Sequence, residues 1–192
     1  RSRPHGHLLP ETLTAHLGLL SAPALRAARI MRLTVHPALQ RRGLGSRLVG
    51  EVTVRAANQG HDYVGTSFGA TPGLIEFWQQ LGWLPVRLSI HKGASSGSHS
   101  ALMLKPLTPS GKELQQAARQ RFFAQFPHQL SDSLRTLEPA LVIALLGQAG
   151  EFAPDLDAAD RRDLQAFAHA CRLAEVTIGS LWRFTMRCCM CG

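Results

Sequence analysis

The sequence predicts an α/β domain carrying an appended α-helical region, and three observations point there. Residues 30–35 form a mostly apolar run containing the β-branched Ile30, Thr34 and Val35, which reads as a strand that His36-Pro37 stops. A glycine-containing loop and a helical pattern to about Asn58 follow, and residues 63–68 read as a second strand. Strand, helix and strand then make a right-handed crossover with the strands parallel. Beyond Pro106 the patterns become helical throughout.

The chain holds 192 residues, 45% of them hydrophobic, enough for one core and an appendage. No apolar run reaches the length of a membrane span, and the basic N-terminus lacks the apolar centre of a signal peptide. A soluble cytoplasmic protein with no membrane partner is the expectation. The net charge of +8 is unevenly placed: residues 1–107 hold 12 Lys/Arg against 4 Asp/Glu, and residues 108–192 hold 9 against 9. Cofactor phosphates or a nucleic acid suit such a field, and a merely solubilising surface suits it equally. Cys188 and Cys191 make a lone Cys-x-x-Cys beside Cys189, with no second pair or histidine after it. Together with Cys171 they read as reduced thiols, and no metal site is expected.

In chain order, residues 10–20 read as a short helix opening on Pro10, and Ser21-Ala22-Pro23-Ala24 marks a turn. In the helix that follows the glycine loop, Leu44, Leu48, Val49 and Val52 recur at three- and four-residue spacing, a stripe expected to pack on the sheet. Thr71-Pro72-Gly73 opens another helix, to about Leu81. Residues 84–91 and 101–107 read as an antiparallel hairpin around a polar Gly/Ser loop with Lys92 in it and His91 and His99 at its ends. Ser110-Gly111-Lys112-Glu113 has the pattern of a capping box ahead of an amphipathic helix over 114–126, and three more helices are expected over 131–146, 157–173 and 175–188. The expected division is therefore 1–107 and 108–192, the second part either positioning a partner such as RNA or covering the core.

The stretch Gln40-Arg41-Arg42-Gly43-Leu44-Gly45 puts two glycines where a helix begins. Its free backbone N–H groups can meet a ligand with no side chain between, and amides and helix dipole both favour a phosphate there. Gln-x-x-Gly-x-Gly after a strand ending in Val-x-Pro resembles the acetyl-CoA pyrophosphate loop of the GNAT acetyltransferases. Phe77-Trp78-Gln79-Gln80-Leu81-Gly82-Trp83 resembles the Phe-Tyr-x-x-x-Gly-Phe end of that family's fourth helix. Gly6-His7-Leu8-Leu9-Pro10, Val35-His36-Pro37, Ser67-Phe68-Gly69 and His91-Lys92-Gly93-Ala94-Ser95-Ser96-Gly97 are similar to stretches of the bacterial tRNA(Met) cytidine acetyltransferases. That resemblance runs from about Gly6 to Leu107, more loosely beyond.

The resemblance implies a GNAT fold lacking its first strands. About thirty residues precede the cofactor strand here, where the family places several strands and two helices, so a fragment of a larger chain is expected. It implies acetyl-CoA as cofactor, held along the backbone of Leu33, Thr34 and Val35, by Gln40, Arg41, Arg42, Gly43, Leu44, Gly45 and Ser46 at the diphosphate, and by Ile75 and Gln80 from the next helix. It implies an acceptor amine on the wobble cytidine of elongator methionine tRNA, giving N4-acetylcytidine. Because no Gly-x-x-x-x-Gly-Lys-Ser/Thr occurs in this sequence, the family's ATP-using module is expected outside this chain. Trp78 stands where many members carry a tyrosine that protonates the leaving thiolate; its indole has no such proton to give, so it reads as a core aromatic. Glu76 and His36 lead the candidate bases, with Asp62, His91 and His99 behind them, and the residues do not choose among these. Two other classes stay open: a GNAT enzyme acting on a protein or small-molecule amine, and a noncatalytic CoA- or RNA-binding module. The sequence leaves the oligomeric state open.

Overall fold

The computed structural model describes residues 8–93 and 97–191; the basic stretch 1–7 and the centre of the polar loop, 94–96, on which two of the similar stretches fall, lie outside the described residues, as does Gly192. Four strands form one sheet: β1 (Ala27–Ile30), β2 (Tyr63–Gly69), β3 (Leu84–Lys92) and β4 (His99–Pro106). Their order is β1-β2-β4-β3, with β1 parallel to β2 and the other pairs antiparallel. The expected crossover and hairpin are both present.

The helices are α1 (Leu8–Leu17), α2 (Leu44–Asn58), α3 (Pro72–Gln80), α4 (Pro109–Ser131), α5 (Pro139–Leu146), α6 (Ala158–Ala168) and α7 (Ala174–Cys191). The long helix α4 packs on β3 and β4 and also touches α1. A buried cluster joins Leu9 and Leu13 of α1, Tyr63, Val86, Leu102 and Leu104 of the sheet, and Leu114 and Ala118 of α4. Ala101 and Met103 alternate with Leu102 and Leu104 and are equally buried, so both faces of β4 are covered.

One compact unit reaches Leu137 and a second begins at Glu138, so α4 lies with the sheet and not with the helical tail. With that division the charge asymmetry is sharper than a break at 107 suggests: the first unit carries 16 Lys/Arg against 6 Asp/Glu, the second 5 against 7. In the second unit α6 and α7 are pinned by Asp160. It completes a capping box with Asp157, accepts from Ser180 Oγ and pairs with the Arg183 guanidinium. The Arg183 hydrogen bond, with Ser180 behind it, holds the Asp160 carboxyl well below the usual carboxylate range.

Four expectations need correction. The first sheet strand ends at Ile30, and residues 31–36 have left the ladder. The cap of α4 is Thr108, two residues before the Ser110 pattern: its hydroxyl accepts from Gly111 N–H at 3.2 Å and donates to Asp62 Oδ1 at 2.9 Å. The helix expected from 131 begins only at Pro139. In α2 it is Val49 and Ala56 that are buried, whereas Leu44 and Leu48 are 42% and 50% exposed and Val52 is exposed too. The side of α2 that meets β2 is thus set by a pair seven residues apart, and the larger apolar stripe is turned away.

Candidate functional site

The strand β1 pairs with β2 only from Ala27↔Tyr63 to Ile30↔Thr66, and Thr66 Oγ1 donates to Ile30 O at 3.2 Å at the last pair. Past that point the two segments part. A cleft of about 310 Å³ fills the gap, lined by Met31, Arg32, Leu33 and Thr34 on one side and Thr66, Ser67 and Phe68 on the other, with Trp78 and Phe77 of α3 among its walls. A wider cleft of about 630 Å³ shares Leu33, Leu74 and Phe77 with it and extends to the start of α2.

The mouth of α2 is bare. The first hydrogen bond within the helix runs from Arg47 N–H to Gly43 O at 2.9 Å, so the amides of Gly43, Leu44, Gly45 and Ser46 find no acceptor inside it. Gly43 is the N-cap with φ of +75° and no side chain to cap those amides. A left-handed residue ahead of a right-handed one turns successive N–H groups to the same side, the geometry of an anion nest. A Cβ built on Gly43 would meet nothing within 4 Å, and one on Gly45 would touch only Phe77 and Val35 at ordinary contact distance. The mouth is therefore open, and it faces the wider cleft, which Gln40, Arg41, Gly43, Leu44, Gly45 and Ser46 line. A diphosphate fits these donors, with Arg41 adding charge.

The loop is held by its own sequence. Gln40 Nε2 donates to Val35 O at 3.1 Å, tying the turn back to the departing segment. His36 Nδ1 accepts from Ala38 N–H at 3.3 Å. His36 lines neither cleft. Its part is to cap the turn Pro37–Leu39.

Of the residues expected at the cofactor, Leu33, Val35, Gln40, Arg41, Gly43, Leu44, Gly45, Ser46 and Gln80 line the wider cleft, and Leu33 and Thr34 line the narrower one. Two do not belong. Ile75 is wholly buried, and the residues of α3 that reach the cleft are Gly73, Leu74, Glu76, Phe77 and Gln80, because a helix turns about 100° per residue and Ile75 occupies the inward position. Arg42 is exposed beside the turn without lining the cleft. Trp78 is 4% exposed and packs against Phe68, Phe77 and Trp83, as a core aromatic should.

The candidate bases separate by position. Asp62 accepts from Arg26 N–H at 2.8 Å as well as from Thr108, which lowers its pKa, and it joins the starts of β2 and α4 to the approach to β1. His99 Nδ1 is bonded to Ser89 O within the hairpin. His91 is exposed near the end of β3, its carbonyl accepting from Ser89 Oγ. Glu76 lines the wider cleft but not the narrower one, whose walls carry no carboxylate or histidine among the described residues. The walls that sequence reasoning missed, Thr66, Ser67 and Phe68, lie on β2 across from the departing segment; Ser67-Phe68-Gly69 was visible as a similar stretch without a stated role.

Residues 52–108, all of them after the glycine turn, match the family model described as GNAT acetyltransferase 2. The chain is similar to proteins named tRNA(Met) cytidine acetyltransferase TmcA. The one from Nitrosococcus halophilus is 53% identical over 96% of this chain and 25% of its own length, and the one from Pectobacterium atrosepticum 36% identical over 95% and 26%. The one from the more distant Methanopyrus kandleri is 30% identical over 91% of this chain and 21% of its own length. The chain thus spans about a quarter of the curated relatives it matches. The crystal structure of nourseothricin acetyltransferase superposes with a TM-score of 0.40 and 20% identity over 44% of this chain and 52% of that one, a likeness too slight to carry an argument.

Proposed function

We propose that this chain supplies the acetyl-CoA site and the acetyl-transfer step of a tRNA(Met) cytidine acetyltransferase; the match of residues 52–108 to the GNAT acetyltransferase 2 model and the similarity to about a quarter of the length of those enzymes support this. The acceptor is the exocyclic amine of the wobble cytidine in elongator methionine tRNA, and the product N4-acetylcytidine. ATP is used by a portion outside this chain, and the enzyme works in the cytoplasm. The observation that carries this reading is the bare first turn of α2 opening on the gap where β1 and β2 part.

Acetyl-CoA supplies the acetyl thioester. The amides of Gly43, Leu44, Gly45 and Ser46, with Arg41, would hold its diphosphate, and the unpaired backbone of Leu33, Thr34 and Val35 would run beside the pantetheine arm as a strand would. An N–H of that segment would be placed to donate to the thioester carbonyl oxygen. The cytidine amine is delocalised into its ring, so its proton leaves late and a strong base is not required.

Incubating the protein with acetyl-CoA and unmodified methionine tRNA, then digesting the RNA for mass spectrometry, tests the reading, with a full-length relative as positive control. Acetyl-CoA binding together with N4-acetylcytidine is the expected result. Failure to bind acetyl-CoA would overturn it.

A further inference from the structure

A cleft of about 380 Å³ that shares no residue with the two at α2 opens among the last turn of α1, the strand β3 and the helix α4. Its charged lining is Arg87 and Arg121, beside His16, with no carboxylate among the described residues. Arg87 and Leu88 are neighbours in the chain yet both line it. They sit on β3, the last strand in the sheet order, and pair in regular succession with Leu102 and Ala101, so the cleft lies against the side of the sheet where that strand ends the ladder. Across the cleft, the guanidinium of Arg121 comes within 3.2 Å of where a Cβ on Gly18 would stand, so the glycine that ends α1 leaves room for it.

Neither guanidinium has an ion pair or hydrogen bond among the described residues. Arg87 is partly buried, and burial alone pushes its pKa down from the ordinary arginine value. Partial burial makes an unpaired guanidinium such as Arg87 readier to accept an anion, and Arg121 is exposed to solvent. A guanidinium fork matches the oxygens of a phosphate, which it can grip with paired N–H groups, and two of them line this cleft. Leu17 and the exposed Ile90 give the same cleft an apolar surface on which a ribose or base can lie.

We propose that this cleft is a phosphate-binding site whose ligand is the sugar-phosphate backbone of RNA, a source that rests on the tRNA reading above, with a free phosphate as the other source of the same chemistry. Each arginine then removes about one phosphate contact from the salt dependence of RNA binding when its charge is lost.

The test compares the unaltered protein with Arg87→Gln, Arg121→Gln and the charge-keeping Arg87→Lys and Arg121→Lys. Unmodified methionine tRNA is titrated over a range of salt, inorganic phosphate is titrated against the arginine Nε–H resonances, and acetyl-CoA affinity and thermal unfolding check the other site and the fold. The expected result is that each Gln variant lowers the slope of log K against log salt by about one, the Lys variants restore it, and acetyl-CoA affinity does not change. If all five proteins bind tRNA with one slope and phosphate leaves both resonances unmoved, the cleft is not a phosphate site, and the tRNA reading stands without it. If tRNA is not bound but phosphate moves both resonances, the site is upheld with free phosphate as its source and the tRNA reading fails. If neither binds, both inferences fall.

Discussion

Gly43 and Gly45 ask different things of any side chain that would replace them. At Gly43 the φ of +75° costs an L-residue about 1–2 kcal/mol before ligand is considered. Gly45 has helical backbone and room for a Cβ, so at that position ligand affinity can be separated from folding. Tyr63 offers another residue-scale test: it is fully buried with no partner for its hydroxyl among the described residues, and burial pushes its pKa up to about 12. The folded pKa lies above the unfolded value near 10, so the neutral ring's contribution to stability is complete below pH 10 and is lost as pH rises toward 12. Tyr63→Phe is therefore expected to raise stability at pH 7 by about 1 kcal/mol and to remove part of the alkaline loss, as measured by denaturant unfolding at pH 7 and pH 11. At this scale the glycine turn was legible because its demand is local. The facing of Ile75 was not, since it and Phe77 are both large and apolar and no polarity contrast says which one turns inward.

The junction of β2 with α4 shows what a single element end can require. A Cβ on Gly111 would lie 2.0 Å from Asp62 O, and that carbonyl already accepts from Leu107 and Thr108 N–H, so the backbone cannot give way there cheaply. Gly111→Ala is expected to cost about 2–3 kcal/mol in urea unfolding, as overpacking against a fixed neighbour does, while a helical glycine in open surroundings would gain from the same change. Loss of less than half a kcal/mol would mean that the junction is loose. The sequence marked this site as a capping box on Ser110, two residues late, because Thr108 and Ser110 are equally plausible caps until Asp62 is seen beside one of them. The boundaries of α2, α3, β2 and the hairpin were readable from Pro, Gly and period alone. The end of β1 was not: Leu33 and Val35 are apolar because they line a cleft, and a cleft wall and a sheet position look alike in a one-dimensional pattern.

For the whole molecule, the division at Leu137 places the basic charge, both α2 clefts and the Arg87 cleft in one unit. A chain ending at Leu137 is expected to fold cooperatively and to bind acetyl-CoA within about threefold of the whole protein, measured by circular dichroism and calorimetry; one ending at Leu107 strips α4 from the sheet and is expected not to fold. The charge contrast between the halves was visible in the sequence, but its true size was hidden by assigning α4 to the tail on helical pattern alone. The central claim is that a diphosphate rests on the open amides at the start of α2, and titration calorimetry of acetyl-CoA into Gly45→Asp addresses it most directly. A carboxylate in the first turn favours the helix dipole, so the variant should melt at or slightly above the temperature of the unaltered protein while its acetyl-CoA affinity falls at least a hundredfold. Unchanged affinity in a folded Gly45→Asp would contradict the account.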